Sequence, residues 1–365
     1  MIPMVDLQEQ FEDIKDEVFA VTETILRSSR YVLGPHVTEL EERIADYTGK
    51  KFGIGVASGT DAIYLALRAS GVKEGDEVIT TPFTFFATVE AILYCGARPV
   101  FVDIEPDSFN IDPYKIEQAI TDKTRAILPV HLYGYPCDMD AILSIADNHD
   151  LAVIEDAAQA FGAGIGDRKA GGFGSAGCFS FYPSKNLGCY GDGGMIVTSD
   201  QEFVSKVKSL RNHGSSSTYI HEQIGVNSRL DEIQAGILLI KMKKIDRYND
   251  LRRKNARIYT EKLDSYVICP GEADGYRHVY HQYTIRCPKR GHMQEQLERE
   301  GISSVIYYPI PMHLQKAITF LGYKKGDFPE AEKAADEVLS LPMYPELKEE
   351  DIEKICSVIK ESSCE

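Results

Sequence analysis

Between about residue 50 and residue 200 the chain alternates short apolar runs with amphipathic segments, a pattern that fits an α/β sheet with helices on its faces and little else. The runs are Phe52 to Ala57, Glu77 to Thr80, Pro99 to Val102, Arg125 to Val130, Leu151 to Glu155, Gly177 to Phe181 and Gly193 to Val197. Helical stretches such as Asp61 to Ala69 and Met139 to Asn148 lie between most of them. This spacing suits right-handed crossovers and a largely parallel sheet, so the expected fold class is α/β with a mainly parallel seven-stranded sheet.

The flanks add helices. Phe11 to Ser28 has an amphipathic period, Gly34-Pro35 punctuates the chain, and a second helix runs through Thr38 to Tyr47. Beyond the sheet, Ser228 to about Leu263 reads as one long helical stretch with a basic run of Lys241, Lys243, Lys244, Arg247, Arg252, Arg253 and Lys254. Such a run is expected to be a solvated helix face. A strand around His281 to Arg286 and two further helices suffice for a smaller α+β unit. A chain of 365 residues exceeds the size at which one core stops growing, so residues 1–242 are expected to form a large domain and residues 243–365 a small C-terminal one.

The formal net charge of −16 argues against a nucleic-acid surface, which needs a dense basic patch, but leaves room for a small phosphorylated ligand. The opening MIPMVDLQEQ lacks the basic and apolar regions of a leader, and no apolar run approaches a membrane span; the expected location is cytoplasmic. Eight cysteines, Cys364 among them, form no C-x-x-C pair and no zinc-like cluster with histidine, and are expected to be reduced thiols acting mostly as small apolar fillers, with no metal site.

Ligands of open α/β sheets bind beyond the carboxyl ends of the strands, and four such places carry suitable polar groups. S-G-T-D-A at Ser58 to Ala62 leaves a strand and opens a helix, where small residues and free N–H groups favour a phosphate; Thr60 or Asp61 acting only as an N-cap is the alternative. P-F-T-F-F-A-T at Pro82 to Thr88 offers an aromatic to cover a planar ring, or simply to pack in the core. V-I-E-D-A-A-Q-A at Val153 to Ala160 runs an apolar strand into a carboxylate, Asp156, that can face a pyridinium nitrogen or cap a turn. F-S-F-Y-P-S-K-N-L-G-C-Y-G-D-G-G-M at Phe179 to Met195 places Lys185 in a non-helical, glycine-rich segment after Ser180. A lone lysine is ordinarily solvated; one with a lowered pKa beside the other three features is a candidate Schiff-base amine.

In S-G-T-D-A, E-D-A-A-Q, S-F-Y-P-S-K-N-L-G-x-Y-G-D-G-G, G-V-N-S-R-L-D-E-I-Q-A and Y-Y-P-I-P-M-H, in this order over essentially the whole chain, the sequence resembles the DegT/DnrJ/EryC1/StrS sugar aminotransferases, fold-type I enzymes dependent on pyridoxal 5′-phosphate. The resemblance implies that Lys185 carries the cofactor aldehyde, Asp156 pairs with the ring nitrogen, Gln159 bonds the ring hydroxyl oxygen and Phe85 stacks on the ring. Gly59 and Thr60 backbone groups with the Ser180 hydroxyl would hold the phosphate, and Asn227 would reach the phosphate of a neighbouring subunit's cofactor, which requires a homodimer. Arg229, His213, Tyr308 and His313 lie in segments that line the sugar site in the family, although purely structural roles suit each equally well.

The implied activity is amine transfer from L-glutamate to a nucleotide-linked keto-sugar, with Lys185 as both anchor and general acid–base. L-G-x-Y-G-D-G-G looks like members that aminate at sugar C-3, and amination at C-4 remains the alternative. A sugar dehydratase is disfavoured because family members of that kind carry histidine at the lysine position. A non-catalytic regulator is disfavoured by the acidic charge and by the absence of a DNA-reading module. The G-x-G-x-G of Gly162, Gly164 and Gly166 lacks the last glycine of a dinucleotide fingerprint.

Overall fold

The computed structural model describes residues 1–364, apart from the side chain of Cys364. Helix α1 (Leu7–Ser28) starts where the Asp6 carboxylate accepts the N–H groups of Gln8 and Glu9, and α2 (Pro35–Thr48) stops at Gly49, whose φ of +71° suits glycine. The strands β1 (Phe52–Val56), β2 (Glu77–Thr80), β3 (Arg98–Phe101), β4 (Thr124–Ile127) and β5 (Ala152–Asp156) follow. A small hairpin of β6 (Gly164–Ile165) and β7 (Arg168–Lys169) then leads to β8 (Ala176–Ser180) and β9 (Gly194–Thr198).

Seven of these strands form one sheet in the order β1-β9-β8-β5-β4-β2-β3. Neighbours from β8 to β3 are parallel, and β9 runs antiparallel to both β1 and β8, so the sheet is mainly parallel, as the alternating pattern implies. The connecting helices α3 (Gly59–Ala69), α4 (Phe86–Tyr94), the short α5 (Pro113–Ile116), α6 (Met139–Asn148) and α7 (Gln201–Leu210) cover its faces. Apolar strand residues such as Ile54, Ile154 and Ile196 are fully buried between them. The antiparallel β9 matters for function: Gly194 pairs with both Val56 and Ser180, so the loop from Phe181 to Gly193 is pinned at the edge where β1, β5 and β8 end.

A two-stranded ribbon, β10 (Ser215–Ser217) with β11 (Ile220–His221), precedes the region expected to be one long helix. The structure divides that region into α8 (Glu232–Met242) and α9 (Ile245–Leu263), with Lys244 at φ −113° and ψ −1° between them. The cause is that the two halves bury different faces. Helix α8 packs on α1 and α2, whereas α9 packs against the C-terminal segments. The expected solvated basic face is corrected by the same break: Lys243 and Lys244 do lie outward, paired with Glu17 and Asp13, but Lys241 and Arg252 are only 2% and 3% exposed.

The remaining strands are β12 (Tyr276–Arg277), which pairs with β6, and β13 (Tyr283–Arg286), which pairs with β14 (Val338–Leu341). With α10 (Arg290–Arg299) and α12 (Glu349–Cys364), β13 and β14 enclose a separate core around Tyr259, Tyr283, Leu297 and Ile355, whereas α11 (Pro329–Glu337) buries Ala331, Ala334 and Ala335 in a cluster with Phe83 and Phe101. Ile2 belongs to that core too, because it bridges in parallel to Ile302, so the first residues of the chain pack with its last third. Among the described cysteines all seven are free thiols, six of them buried. No helix among the described residues is long and apolar enough to cross a membrane.

Ile196 is fully buried and hydrogen-bonded on both sides within the sheet. Ile196→Ala should cost about 2–5 kcal/mol of stability, read as a lower denaturation midpoint; a loss under about 1 kcal/mol would mean that this strand is not in the core.

Candidate active site

Ser58 ends the turn after β1 and caps α3, its hydroxyl accepting the Asp61 N–H at 3.1 Å. Of the two alternatives for this turn, neither Thr60 nor Asp61 is therefore needed as a cap. The Asp61 carboxylate accepts instead from the Ser228 hydroxyl at 2.6 Å, and Ser228 Oγ accepts the Ala57 N–H. Gly59 lies so close to Ser180 that an added Cβ would fall 2.6 Å from the serine Cβ, and one on Gly194 would meet Ser58 O at 2.3 Å. The head of an eleven-residue helix and the Ser180 hydroxyl are thus pressed together, with free N–H groups available for an anion.

Asp156 closes β5 and is 5% exposed. Its Oδ2 accepts from the Thr88 hydroxyl at 2.8 Å, which meets the Thr84 hydroxyl at 2.8 Å, and its Oδ1 accepts the Ala158 N–H at 3.2 Å. Burial pushes the Asp156 pKa up, opposed by these bonds and by the positive charge of Lys185. A carboxylate so enclosed gains most from a cationic partner. Lys185 is half-buried, and its amine answers in the opposite sense: desolvation lowers its pKa to about 8, partly offset by Asp156. The site therefore contains a carboxylate that favours a cation and an amine with a lowered proton affinity.

Gln159 is locked at both ends of its amide, Oε1 accepting the Tyr133 N–H at 2.7 Å and Nε2 donating to the Tyr308 hydroxyl at 3.1 Å. The Phe85 ring lies 6.1 Å from that of Tyr308 and is 59% exposed, unlike Phe83 of the same motif, which is fully buried. Phe85, Tyr308, Gln159, Asp156 and Lys185 therefore belong to one contiguous site. Four other residues singled out from sequence have their bonds, where they make any, to residues outside that group. Asn227 is exposed and bridges to Asn212, Arg229 donates to Asn212 Oδ1 at 2.8 Å, and His213 is exposed beside the β10–β11 ribbon. His313 is buried, bonded to Glu332 at 2.9 Å and packed edge-on against Phe328.

Several contributing residues escaped the sequence reading. Thr84 and Thr88 hold Asp156, and their signal was present: two hydroxyls four apart at the start of a helix. Glu155 points to the opposite side of β5 and is fully buried; it accepts the N–H groups of Gly171, Phe173 and Gly174 at 2.6–2.7 Å and faces His131 Nε2 at 3.0 Å. Because His131 Nδ1 accepts the Cys137 N–H, Nε2 carries the hydrogen donated to Glu155. Tyr133 donates its hydroxyl to Tyr307 O, which brings the Tyr307–Tyr308 segment to the site.

The sequence profile of the DegT/DnrJ/EryC1/StrS aminotransferases matches residues 12–360. A protein of Geobacillus stearothermophilus named pleiotropic regulatory protein is 54% identical over 99% of this chain and 98% of its own. A UDP-N-acetyl-3-dehydro-α-D-glucosamine 3-aminotransferase of Acidithiobacillus ferrooxidans is 50% identical over 98% of this chain and 97% of its own. Among solved structures, Streptomyces venezuelae DesV in complex with a ketimine intermediate superposes with a TM-score of 0.97 at 41% identity, covering 99% of this chain and 98% of that one. NtdA of Bacillus subtilis with bound cofactor PMP gives 0.91 at 34% identity, covering 97% and 82%.

The lowered proton affinity of Lys185 has a direct readout. In cofactor-free protein its reaction with an amine-selective reagent should rise with pH around a midpoint near 8, since the neutral amine reacts and the ammonium does not. A midpoint at the ordinary lysine value of 10.5 would contradict the burial argument.

Proposed function

The chain belongs to the DegT/DnrJ/EryC1/StrS aminotransferase family, and on that footing we propose that it transfers an amino group to the 3-keto carbon of a hexose carried on a nucleoside diphosphate. The observation that carries this reading is the approach of a buried carboxylate, Asp156, and a desolvated amine, Lys185, beside the Gly59–Ser180 cradle at one sheet edge. The position on the sugar is supported by the Acidithiobacillus relative, and UDP and dTDP are the nucleotides to test.

The cofactor is pyridoxal phosphate, whose conjugated ring, when bound, takes up the electrons released at the carbon that carries nitrogen. The residues present fit it. Gly59 lets the head of α3 lie directly against Ser180, so the Gly59 and Thr60 N–H groups and the Ser180 hydroxyl would together be the donors to its phosphate. Asp156, held by Thr88 and Ala158, would face the ring nitrogen and keep it protonated. The second hydrogen of Gln159 Nε2 is left for the ring hydroxyl oxygen, because the first goes to Tyr308. Phe85 would cover one ring face.

Lys185 would be the amine that holds the aldehyde, and its Nζ would accept the α-proton of the amino donor and give a proton up again within the same half of the transfer, a task that a pKa lowered to about 8 serves. L-glutamate is the proposed donor, leaving as 2-oxoglutarate. The exposed Asn227, beside the β10–β11 ribbon, would reach the phosphate bound to a second subunit, which makes the working unit a homodimer. Arg229, His213, Tyr308 and His313 are proposed to contact or support the sugar nucleotide, with His313 acting only through its bond to Glu332. The division into a large domain of residues 1–242 and a small one of residues 243–365 is likewise proposed. A cytoplasmic setting would keep the free thiols reduced.

Purified enzyme should absorb near the edge of the visible range, lose that band on addition of L-glutamate, and fail to form it in Lys185→Ala. A wild type without the band would overturn the cofactor assignment, and NMR of a product aminated at C-4 would overturn the position on the sugar. Sedimentation as a fully active monomer would overturn the shared site.

A further inference from the structure

Buried polar atoms nearly always find a partner, and a cluster of such atoms without protein partners marks a place where ordered water is part of the fold. Four residues here, Lys241, Tyr248, Arg252 and His281, are 2–5% exposed, and Lys241 Nζ, Tyr248 Oη, Arg252 Nε and His281 Nδ1 bond to nothing among the described residues. Tyr190 Oη and one oxygen of the half-buried Glu346 are in the same condition.

These atoms are neighbours, not scattered exceptions. Tyr248 and Arg252 are four apart on the inner face of α9. Lys241 Nζ stands 4.3 Å from the centre of the Tyr190 ring, and the Glu346 carboxylate acts on Lys241, Tyr248 and Arg252 together. Arg252 Nη1 donates to Met343 O at 2.8 Å and approaches Tyr280 O, the residue before His281. Burial, and after it the charges of Lys185 and Arg252, push the His281 pKa well down and hold it neutral. Asn186, next to Lys185 in the chain, donates to Val279 O and to Asn249 Oδ1 on α9, and its own Oδ1 is unpartnered as well. The unsatisfied atoms thus form a trail from the Lys185 segment, along α9, to the half-buried Glu346.

We propose that these groups line a buried, water-filled conduit joining Lys185 to the half-exposed Glu346, with the waters completing the bonds of Lys241 and Arg252 and bridging both cations to the carboxylate. A dry cluster would leave the lysine ammonium with an aromatic face as its closest contact, a poor exchange for hydration. The conduit's existence is independent of the function proposed above; its purpose rests on that reading. Amine transfer exchanges a carbonyl oxygen for an amine nitrogen, so the half that releases the keto product takes up one water and the half that forms the amino sugar sets one free. A standing file of water beside Lys185 supplies the first and accepts the second, and gives the lysine a path for proton exchange.

A crystal structure of the full chain with its cofactor, at a resolution that orders solvent, should contain an unbroken file of waters touching His281 Nδ1, Arg252 Nε, Tyr248 Oη and Lys241 Nζ and ending at Glu346. Side chains closed directly on one another, an inorganic anion in place of water, or two separate pools would each overturn the proposal. In solution, oxygen-17 relaxation dispersion counts long-lived internal waters, and Lys241→Met should lower that count; Tyr248→Phe, which removes a single lining hydroxyl, covers the case in which Lys241→Met does not fold. An unchanged count in a folded variant refutes the site. A protein that binds no pyridoxal phosphate yet contains the water file would defeat the functional reading and leave the hydration site standing.

Discussion

The burial of two adjacent carboxylates at the end of β5 is the constraint around which the rest of the site is arranged. Glu155 and Asp156 are consecutive in a strand and so project to opposite faces of the sheet, each out of water. Neither can remain there without donors, and the structure provides two different solutions. On one side Glu155 is saturated by the N–H groups of the 171–174 turn and by His131, which ties that turn to the sheet. On the other side the Asp156 carboxylate receives, among the described residues, only Thr88 and one backbone N–H, and the remainder of its demand falls on the positive charge brought by the Lys185 segment. One carboxylate is spent on architecture; its neighbour is left partly unsatisfied, and that residual demand is what suits it to a cationic ring.

The position of Lys185 follows from strand direction. A fully parallel sheet would carry the chain away through a helical crossover after β8, whereas the reversal into β9 returns it along the same edge, with Gly194 opposite both Ser180 and Val56. The intervening loop is therefore clamped beside the head of α3. Gly59 and Gly194 allow that approach because a side chain on either would overlap backbone or Ser180 atoms.

Much of this was legible in the sequence. The seven strands and their flanking helices were visible because short, mostly apolar runs alternate with amphipathic segments, and Asp156, Lys185 and the S-G-T-D-A turn stood at or after strand ends. What was not legible depended on contacts remote in sequence. The break at Lys243–Lys244 falls inside an unbroken helical period and arises only because α8 and α9 serve different cores. The burial of Lys241 and Arg252 was hidden for the same reason, since lysine and arginine within a basic run are ordinarily at the surface. His313 looked available beside the Y-Y-P-I-P-M segment, yet Glu332, nineteen residues on, claims it.

The parallel bridge between Ile2 and Ile302 has a consequence for how the molecule is made. The chain's first residues leave the ribosome long before their partner exists, and Met4 likewise waits to accept the N–H of Met343. During synthesis the seven-stranded sheet can close while the segment around Ile2 is still unattached; only when Ile302 and Met343 emerge can Ile2 and Met4 dock. The small core is therefore a joint product of segments some three hundred residues apart, and translation delivers its two contributions far apart in time.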